Sequence, residues 1–510
     1  MTRPAISKNR VILIYIVVGA FSLGGYLLAS RLYFRIGFPL DDAWIHQTYA
    51  RNLVSSGEWS FIPGHPSAGS TAPLWSALLA IGYALGLGPY LWTFLLGWAC
   101  LSVMGVFGYM GFHEICTSRA SWGLWGGLLL ITEWHLVWGA GSGMETLAFA
   151  MFVLIIFVFI MKIEKRFTSE KIDQTNFIPT IKGWFGLGIL VGLSVWLRPD
   201  GVTLLGPVAL IIIFLDLDWK KKLKVLLTVL SGFLLLFLPY LTFNKLLAGD
   251  WWPNTFYAKQ AEYVSLRSSS LPERFLREFS LPLVGVGVIL LPGFIYFLIH
   301  GVKSRSWGVI TGYLWILGFV GMYAWRLPVV YQHGRYLIPV MPLFFLLGLV
   351  GLAELARPDA TVLWQRVLSR SWIITLGAVA CIFWGIGARA YAIDVAVIES
   401  EMVTTAQWIS NNIEPDALIA AHDIGAIGYF SKHDLLDLAG LVSPQVIPFI
   451  RDEGELREFL DDNGADYLVT FPGWYPDLVR QSSLVFSSGG IYSPSLDGEN
   501  MAIYRWNHQK

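Results

Sequence analysis

Charge is what this 510-residue chain has least of. Only 14% of its residues are Asp, Glu, Lys or Arg, and 36 acidic side chains cancel 36 basic ones to a net charge of zero. An average soluble domain carries about 25% charged residues. With no basic cluster outside short loops, nucleic acid is excluded as a partner. Cysteine is as sparse: Cys100, Cys116 and Cys381 fall in or beside apolar segments, without metal-ligand spacing or a pairing pattern, and read as packing residues. Long-period repeats and low-complexity tracts are lacking too, which excludes solenoid architectures.

Apolar side chains take the place of charge, at 55% hydrophobic and 15% aromatic residues with a mean hydropathy of +0.57. Apolar runs of about 20 residues recur, the length that a hydrocarbon core of about 30 Å demands of a helix. The chain therefore reads as a polytopic α-helical membrane protein of the plasma membrane. Its first run, 11–29, follows Arg3, Lys8 and Arg10 and has the length of a retained signal-anchor rather than a cleaved signal.

Lys and Arg gather in 1–10, 162–182, 220–224, 301–306 and 355–371, which places those segments and the N-terminus in the cytoplasm. About eleven spans follow from length and charge: 11–29, 91–112, 122–138, 144–161, 183–197, 201–217, 225–246, 281–300, 307–325, 336–355 and 372–392. The outer face then receives the loop 35–90, the turn 139–143, the break 198–201 and the segments 248–280, 326–335 and 393–510. The run 73–87 would invert everything after it if it spanned. It is short and ends in Gly86, Gly88 and Pro89, so it reads as an amphipathic or re-entrant helix, with a tight hairpin as the other reading.

After Tyr391 the composition becomes that of a soluble domain, dividing the chain into a membrane domain, 1–392, and an extracytoplasmic α/β domain, 393–510. The pattern predicts a helix over 403–411, strands over 417–421 and 435–438 separated by a turn at Gly425 and Gly428, a helix over 455–462 and strands over 467–470, 484–486 and 501–504.

Polar groups that could do chemistry collect on the outer side. Asp41 and Asp42 adjoin in the first outer loop, where partial desolvation and a like-charged neighbour raise a carboxylate's pKa toward that of a general base. Capping of the next helix is the equal alternative. His46 and His65 stand in the same loop as candidate ligand contacts. Glu145, at the outer end of a span, is a second acidic site, although the helix dipole alone would justify it. Arg198 near hydrocarbon needs an anionic partner, and Asp200 is the nearest. Asn254, Lys259, Tyr331, His333 and Arg335 complete the set: arginine offers a fork for phosphate oxygens and lysine a point charge, while interfacial anchoring is the competing role for both. His422-Asp423 after a predicted strand lacks a nucleophile or a full glycine fingerprint, and Trp474 and Tyr475 read as packing residues.

Phe38-Pro-Leu-Asp-Asp42 with Tyr49-Ala-Arg-Asn-Leu53, Ser70-Thr-Ala-Pro-Leu-Trp75, Ser142-Gly-Met-Glu145, Leu197-Arg-Pro-Asp-Gly201, Pro253-Asn-Thr-Phe-Tyr-Ala-Lys259 and His333-Gly-Arg-Tyr-Leu337 come in an order that resembles the GT-C superfamily of polyprenyl-phosphate-sugar glycosyltransferases. Within it the chain is most similar to the group of the mycobacterial terminal β-(1→2)-arabinofuranosyltransferase. The resemblance runs over 10–450. It implies a lipid-phosphate sugar donor, a pentofuranose such as arabinofuranose among the candidate sugars, and a glycan, lipid or protein acceptor at the outer face. It implies Asp41 as base, Asp42 as its partner or a cation ligand, Glu145 as a second acid, and Arg335 with His333, Lys259 or Arg198 on the donor phosphate. A divalent cation is left open, since metal use varies across the superfamily and no His/Cys ligand set is visible. A lipid-linked sugar translocase, or a transferase of another lipid-borne group, is the alternative.

Overall fold

In a computed structural model the described residues are 7–116, 118–169 and 174–507, with no account of the side chains of 168–180. Arg3 and Lys171, part of the charge argument, lie outside them. Helices run α1 (Lys8–Tyr33), α2 (Asp42–Ser55), α3 (Pro73–Ala84), α4 (Gly88–Ile115), α5 (Gly123–Thr132), α6 (Trp134–Gly141), α7 (Thr146–Ser169), α8 (Gln174–Leu197), α9 (Leu205–Phe214), α10 (Trp219–Ala248), α11 (Asn254–Glu262), α12 (Leu271–Ser280), α13 (Val286–Ser304), α14 (Trp307–Arg326), a distorted turn α15 (Tyr331–Gly334), α16 (Met341–Leu355) and α17 (Leu363–Ile398).

Among the described residues 8 helices are long and apolar enough to cross a membrane. They account for eight of the eleven expected spans, and the other three are shorter. The run 122–138 breaks at Glu133, whose carboxylate caps α6 by accepting from the Leu136 amide. The runs 183–197 and 201–217 are separated by the helical turn Pro199–Leu204, and their apolar helices are Ile181–Leu197 and Pro199–Phe214. The run 73–87 forms α3, whose 12 residues reach only about 18 Å at about 1.5 Å per residue. α3 lies against α2, and Trp75 Nε1 donates to the Gly143 carbonyl at 2.9 Å.

α16 is the buried centre of the bundle, with every residue from Met341 to Ala353 shielded. Its glycines allow backbone-to-backbone contact with α13: a Cβ on Gly351 would stand 1.9 Å from the Gly293 carbonyl oxygen. α17 leaves the bundle, passes through a π-helical turn, Glu399–Val403, and continues as α18 (Thr404–Asn412). Glu399 in that turn pairs with Arg35 at 2.7 Å, and Glu401 accepts from the Met501 amide at 2.9 Å, so the turn fastens the C-terminal part to the membrane body.

A small hairpin, β1 (Ser60–Ile62) and β2 (His65–Pro66), lies in the first loop. The C-terminal sheet contains β3 (Ile419–Ala421), β4 (Leu435–Asp437), β5 (Tyr467–Thr470), β6 (Ser483–Ser487) and β7 (Ala502–Arg505) in the order β4-β3-β5-β7-β6. The first three strands run parallel, and β7 pairs antiparallel with β5 and β6. Strand alternation divides the two faces. Ile419, Ala421 and Val469 join the core of the membrane body, while Ala420 and Leu468 join a separate core with Leu456 and Leu460 of α20 (Glu453–Asn463). The expected turn at Gly425 and Gly428 is instead a short helix, α19 (Gly425–Phe430), in which Gly428 lies where a Cβ would meet the Phe61 ring at 2.3 Å. α19 packs on α2 and receives Arg51, whose guanidinium donates to the Tyr429 carbonyl at 2.5 Å.

Gly351→Ala should lower the thermal midpoint of the detergent-solubilised protein, by about 1–3 kcal/mol of overpacking. The same substitution at Gly24, where a Cβ meets nothing within 4 Å, should be silent.

Candidate functional site

Polar side chains converge where α2, α7, α11 and α14 begin or end. α7 starts beside Glu145 and carries Lys162 and Arg166 sixteen and twenty residues beyond Thr146, roughly 25–30 Å away at about 1.5 Å per residue. The Lys/Arg group that begins at Lys162 thus stands at the opposite end of α7 from the site.

Two adjoining cavities share Lys259 and Arg335 as a common wall. The larger, ≈ 830 Å³, is lined by Arg198, Arg326 and Tyr336 together with apolar Phe256, Met322 and Leu327. The smaller, ≈ 480 Å³, is lined by Asp41, Asp42, Glu262, His422 and Asp423. Tyr336 gathers the cations: the Arg335, Arg198 and Lys259 charges lie 5.0, 5.6 and 5.6 Å from its ring centroid. Arg335 Nη2 reaches Asp42 at 2.7 Å and the Tyr336 hydroxyl at 3.1 Å, leaving Nε and Nη1 buried without a partner. Gln332, His333 and Gly334 precede Arg335 with φ of 54°, 57° and 64°. Such a run of left-handed residues persists only where neighbours hold it. His333 is held by Asp394 at 2.8 Å and by the edges of Trp134 and Trp138, and a Cβ on Gly334 would meet Leu281 at 2.7 Å.

Glu145 and Arg198 form a second layer. Glu145 stands 3.4 Å from His46 Nε2 and 3.9 Å from Arg198 Nε, while His46 Nδ1 meets the Ser70 and Ser76 hydroxyls at 3.2 and 3.0 Å. Arg198 Nη2 donates to the Tyr323 hydroxyl at 2.9 Å and pairs with Asp200 at 3.2 Å, the partner expected from its sequence.

The two adjacent aspartates have opposite environments. Burial would raise Asp42, but Lys259 at 3.5 Å and Arg335 at 2.7 Å overcome it and hold the carboxyl well below the usual range. Burial pushes Asp41 up to about 6, with Asp42 adding to the rise and the Ala426 and Gly425 amides opposing it. Those amides donate to Asp41 Oδ1 and Oδ2 at 2.8 and 2.7 Å. The carboxylate of Asp41 makes no capping bond to α2. The loop that grips it also delivers His422 and Asp423. Burial, with Arg451 nearby, drives His422 down to about 3, so it is neutral and bonds through Nδ1 to the Tyr475 hydroxyl at 2.7 Å.

Of the sequence candidates, Asp41, Asp42, Glu145, Arg198, Lys259 and Arg335 line the cavities. His46 supports Glu145 from behind. Asn254 is buried and donates to the Leu441 carbonyl at 3.4 Å, tying α11 to the C-terminal part. His65 is exposed on the hairpin, Tyr331 is exposed against Tyr263, and His333 faces Asp394, so the cavities do not receive these three. Glu262, Tyr323 and Arg326 are not among the sequence candidates: nothing local in their sequence marks them, and only α11 and α14 bring them in. Asp423 stands in the sequence only as half of the discounted His422-Asp423 pair, and the C-terminal loop folding onto α2 brings both residues to the smaller cavity.

No group of three or more His, Cys, Asp or Glu among the described residues is arranged to hold a metal ion. Asp42, the ligand a cation would need, is already compensated by Arg335 and Lys259. The donor set does not fit a divalent cation.

This architecture is that of the GT-C membrane glycosyltransferase fold. Solved structures sharing it include ArnT from Cupriavidus metallidurans bound to undecaprenyl phosphate, at a TM-score of 0.61 and 15% identity over 98% of this chain and 98% of that one. The Archaeoglobus fulgidus oligosaccharyltransferase AglB, in complex with an inhibitory peptide and a dolichol-phosphate, matches at 0.61 and 11% over 90% of this chain and 69% of that one. Arabinofuranosyltransferase AftD from Mycobacteria matches at 0.53 and 13%, over 99% of this chain and 42% of that one. At these identities the fold is what is shared. A domain of unknown function (DUF8728) matches residues 391–504. No curated protein matches.

A double-mutant cycle of Asp42→Ala and Arg335→Leu should reveal a coupling of about 0.5–3 kcal/mol in thermal or denaturant unfolding, the range for contacting charged residues.

Proposed function

We propose that this protein is a membrane glycosyltransferase that moves a sugar from a polyprenyl-phosphate donor to an acceptor hydroxyl on the outer face of the membrane. The observation that carries the proposal is Arg335: two of its N–H-bearing nitrogens are buried without partners in a wall shared by a cation-rich cavity and a carboxylate-rich one. Unsatisfied guanidinium donors are costly unless an anion completes them. The fold supports the identity of that anion, since ArnT and AglB are described with undecaprenyl phosphate and dolichol-phosphate. A polyprenyl chain remains in the bilayer, since each buried CH₂ contributes about 0.8 kcal/mol, so its phosphate must be met at an interface.

In this reading the donor phosphate occupies the larger cavity against Arg335, Lys259 and Arg198, with apolar walls beside the first isoprene units. The acceptor hydroxyl enters the smaller cavity. Asp41 takes its proton as the acceptor oxygen bonds to the anomeric carbon and the carbon–oxygen bond to phosphate breaks. Arg335 and Lys259 compensate the charge left on the phosphate. Attack from the face opposite the leaving group inverts the anomeric centre. Asp42 holds the two cations in place, and Glu145 with His46 holds Arg198. Residues 1–392 form the catalytic membrane domain, and 393–510 an extracytoplasmic domain that roofs the site. The resemblance keeps a pentofuranose such as arabinofuranose among the candidate sugars, and a cell-envelope glycan, lipid or protein among the candidate acceptors.

Arg335→Lys should weaken binding of undecaprenyl phosphate by about 10- to 100-fold, the worth of charge-assisted bonds of about 1.5–3 kcal/mol. An unchanged Kd in nanodiscs would remove the basis of the proposal. Asp41→Asn should abolish transfer while lipid-phosphate binding survives. Because the base must be ionised and Asp41 is raised to about 6, single-turnover transfer should fall as pH drops through about 6 and level off above 7.

A further inference from the structure

The smaller cavity holds four carboxyl groups, and three of them have assigned partners. Asp42 is paired with Arg335 and Lys259, Asp41 accepts the Gly425 and Ala426 amides, and Glu262 is paired with Arg451. Asp423 faces the same space with no hydrogen bond or ion pair to another described residue. It comes from the loop whose amides grip Asp41, and that grip is close: a Cβ on Gly425 would lie 2.1 Å from the Asp41 carbonyl oxygen and 2.6 Å from Oδ2. The chain therefore fixes Asp423 beside the general base by the same contact that fixes the base itself.

Resting on the glycosyl-transfer reading, we propose that Asp423 is the acceptor-holding residue of the site: its carboxyl group, left without a partner in the cavity of the base, hydrogen-bonds a hydroxyl of an uncharged polyol acceptor and sets the neighbouring hydroxyl against Asp41. Every charged group facing it supports the neutral form of that carboxyl, which donates the bond. Burial, with Asp41, Asp42 and Glu262 around it, keeps its proton well above the usual carboxylate range. Lys259 and Arg335 are engaged by Asp42, Arg451 by Glu262, and His422 is neutral. The single uncompensated negative charge of the cavity is then Asp41, which must accept the acceptor's proton. An ammonium group on the acceptor could pair only with Asp41, and that pairing would take the base out of use. Asp423 keeps its own proton throughout, so proton balance is closed by Asp41 alone.

Asp423→Asn retains a donor at this position and Asp423→Leu removes it. With a neutral alkyl glycoside as the acceptor probe, the Leu variant should raise its KM about tenfold or more while undecaprenyl-phosphate Kd and the thermal midpoint stay unchanged, and the Asn variant should recover most of the wild-type KM. Equal losses in both variants, or an unchanged KM in the Leu variant, would overturn the assignment. Infrared spectroscopy of the protein provides a readout independent of turnover: the wild-type minus Asp423→Asn difference spectrum at pH 7 should contain a protonated-carboxyl C=O band, over and above the signal of Glu278, which is common to both proteins and cancels. If wild-type protein shows that band but transfers no sugar, the glycosyltransferase reading fails and the acceptor role falls with it. If it transfers sugar without the band, only the role of Asp423 falls.

Discussion

Everything at this site depends on the contact between Arg335 and Asp42. One guanidinium nitrogen is spent on the carboxylate of the first loop, two are left over, and Lys259 stands behind the same carboxylate. Remove Asp42 and two buried cations lose the anion that keeps them beside Tyr336. Remove Arg335 and the first loop loses its attachment to the helix that runs through the centre of the bundle. The left-handed turn before Arg335, held by His333 on Asp394, is the backbone cost of aiming that side chain at a loop nearly three hundred residues earlier in the chain.

The neighbouring carboxylate shows how environment divides the labour of two identical side chains. Asp42 faces cations and stays ionised as a structural counter-charge. Asp41 faces backbone amides and another acid, and sits where gaining a proton is easy. Pairs of titratable groups pushed apart in this way mark acid and base roles in many enzymes. The amides come from the C-terminal part, so the base is complete only when that part is docked through α19, Arg51 and the Glu399–Val403 turn.

Much of this was legible in the chain. Apolar run lengths matched eight of the eleven expected spans to long apolar helices, and the alternation of strands with helices gave every strand of the C-terminal sheet. Glu145 and Arg198, expected together at span ends because a membrane confines polar groups to its faces, line one cavity. The errors have physical causes. Glu133 breaks a span from within because its carboxylate satisfies the amides of a new helix, a cap inside an apolar run. Gly425 and Gly428 suggest a turn but serve close approach, against Asp41 and Phe61. His333 neighbours Arg335 in sequence, yet the left-handed backbone turns it toward Asp394. Glu262, Tyr323 and Arg326 meet the site only through tertiary contacts, and no local pattern announces them; the His422-Asp423 pair is visible after its strand, but without a nucleophile beside it nothing local ties it to Asp41.

The most direct test of the account is the position of a bound lipid phosphate. In a cryo-EM structure of the full-length protein in nanodiscs with undecaprenyl phosphate, the phosphate should lie against Arg335 Nε and Nη1, within reach of Lys259 and Arg198, with the first isoprene units along Phe256, Met322 and Leu327. A phosphate seated elsewhere, with Arg335 still bound only to Asp42 and Tyr336, would contradict it.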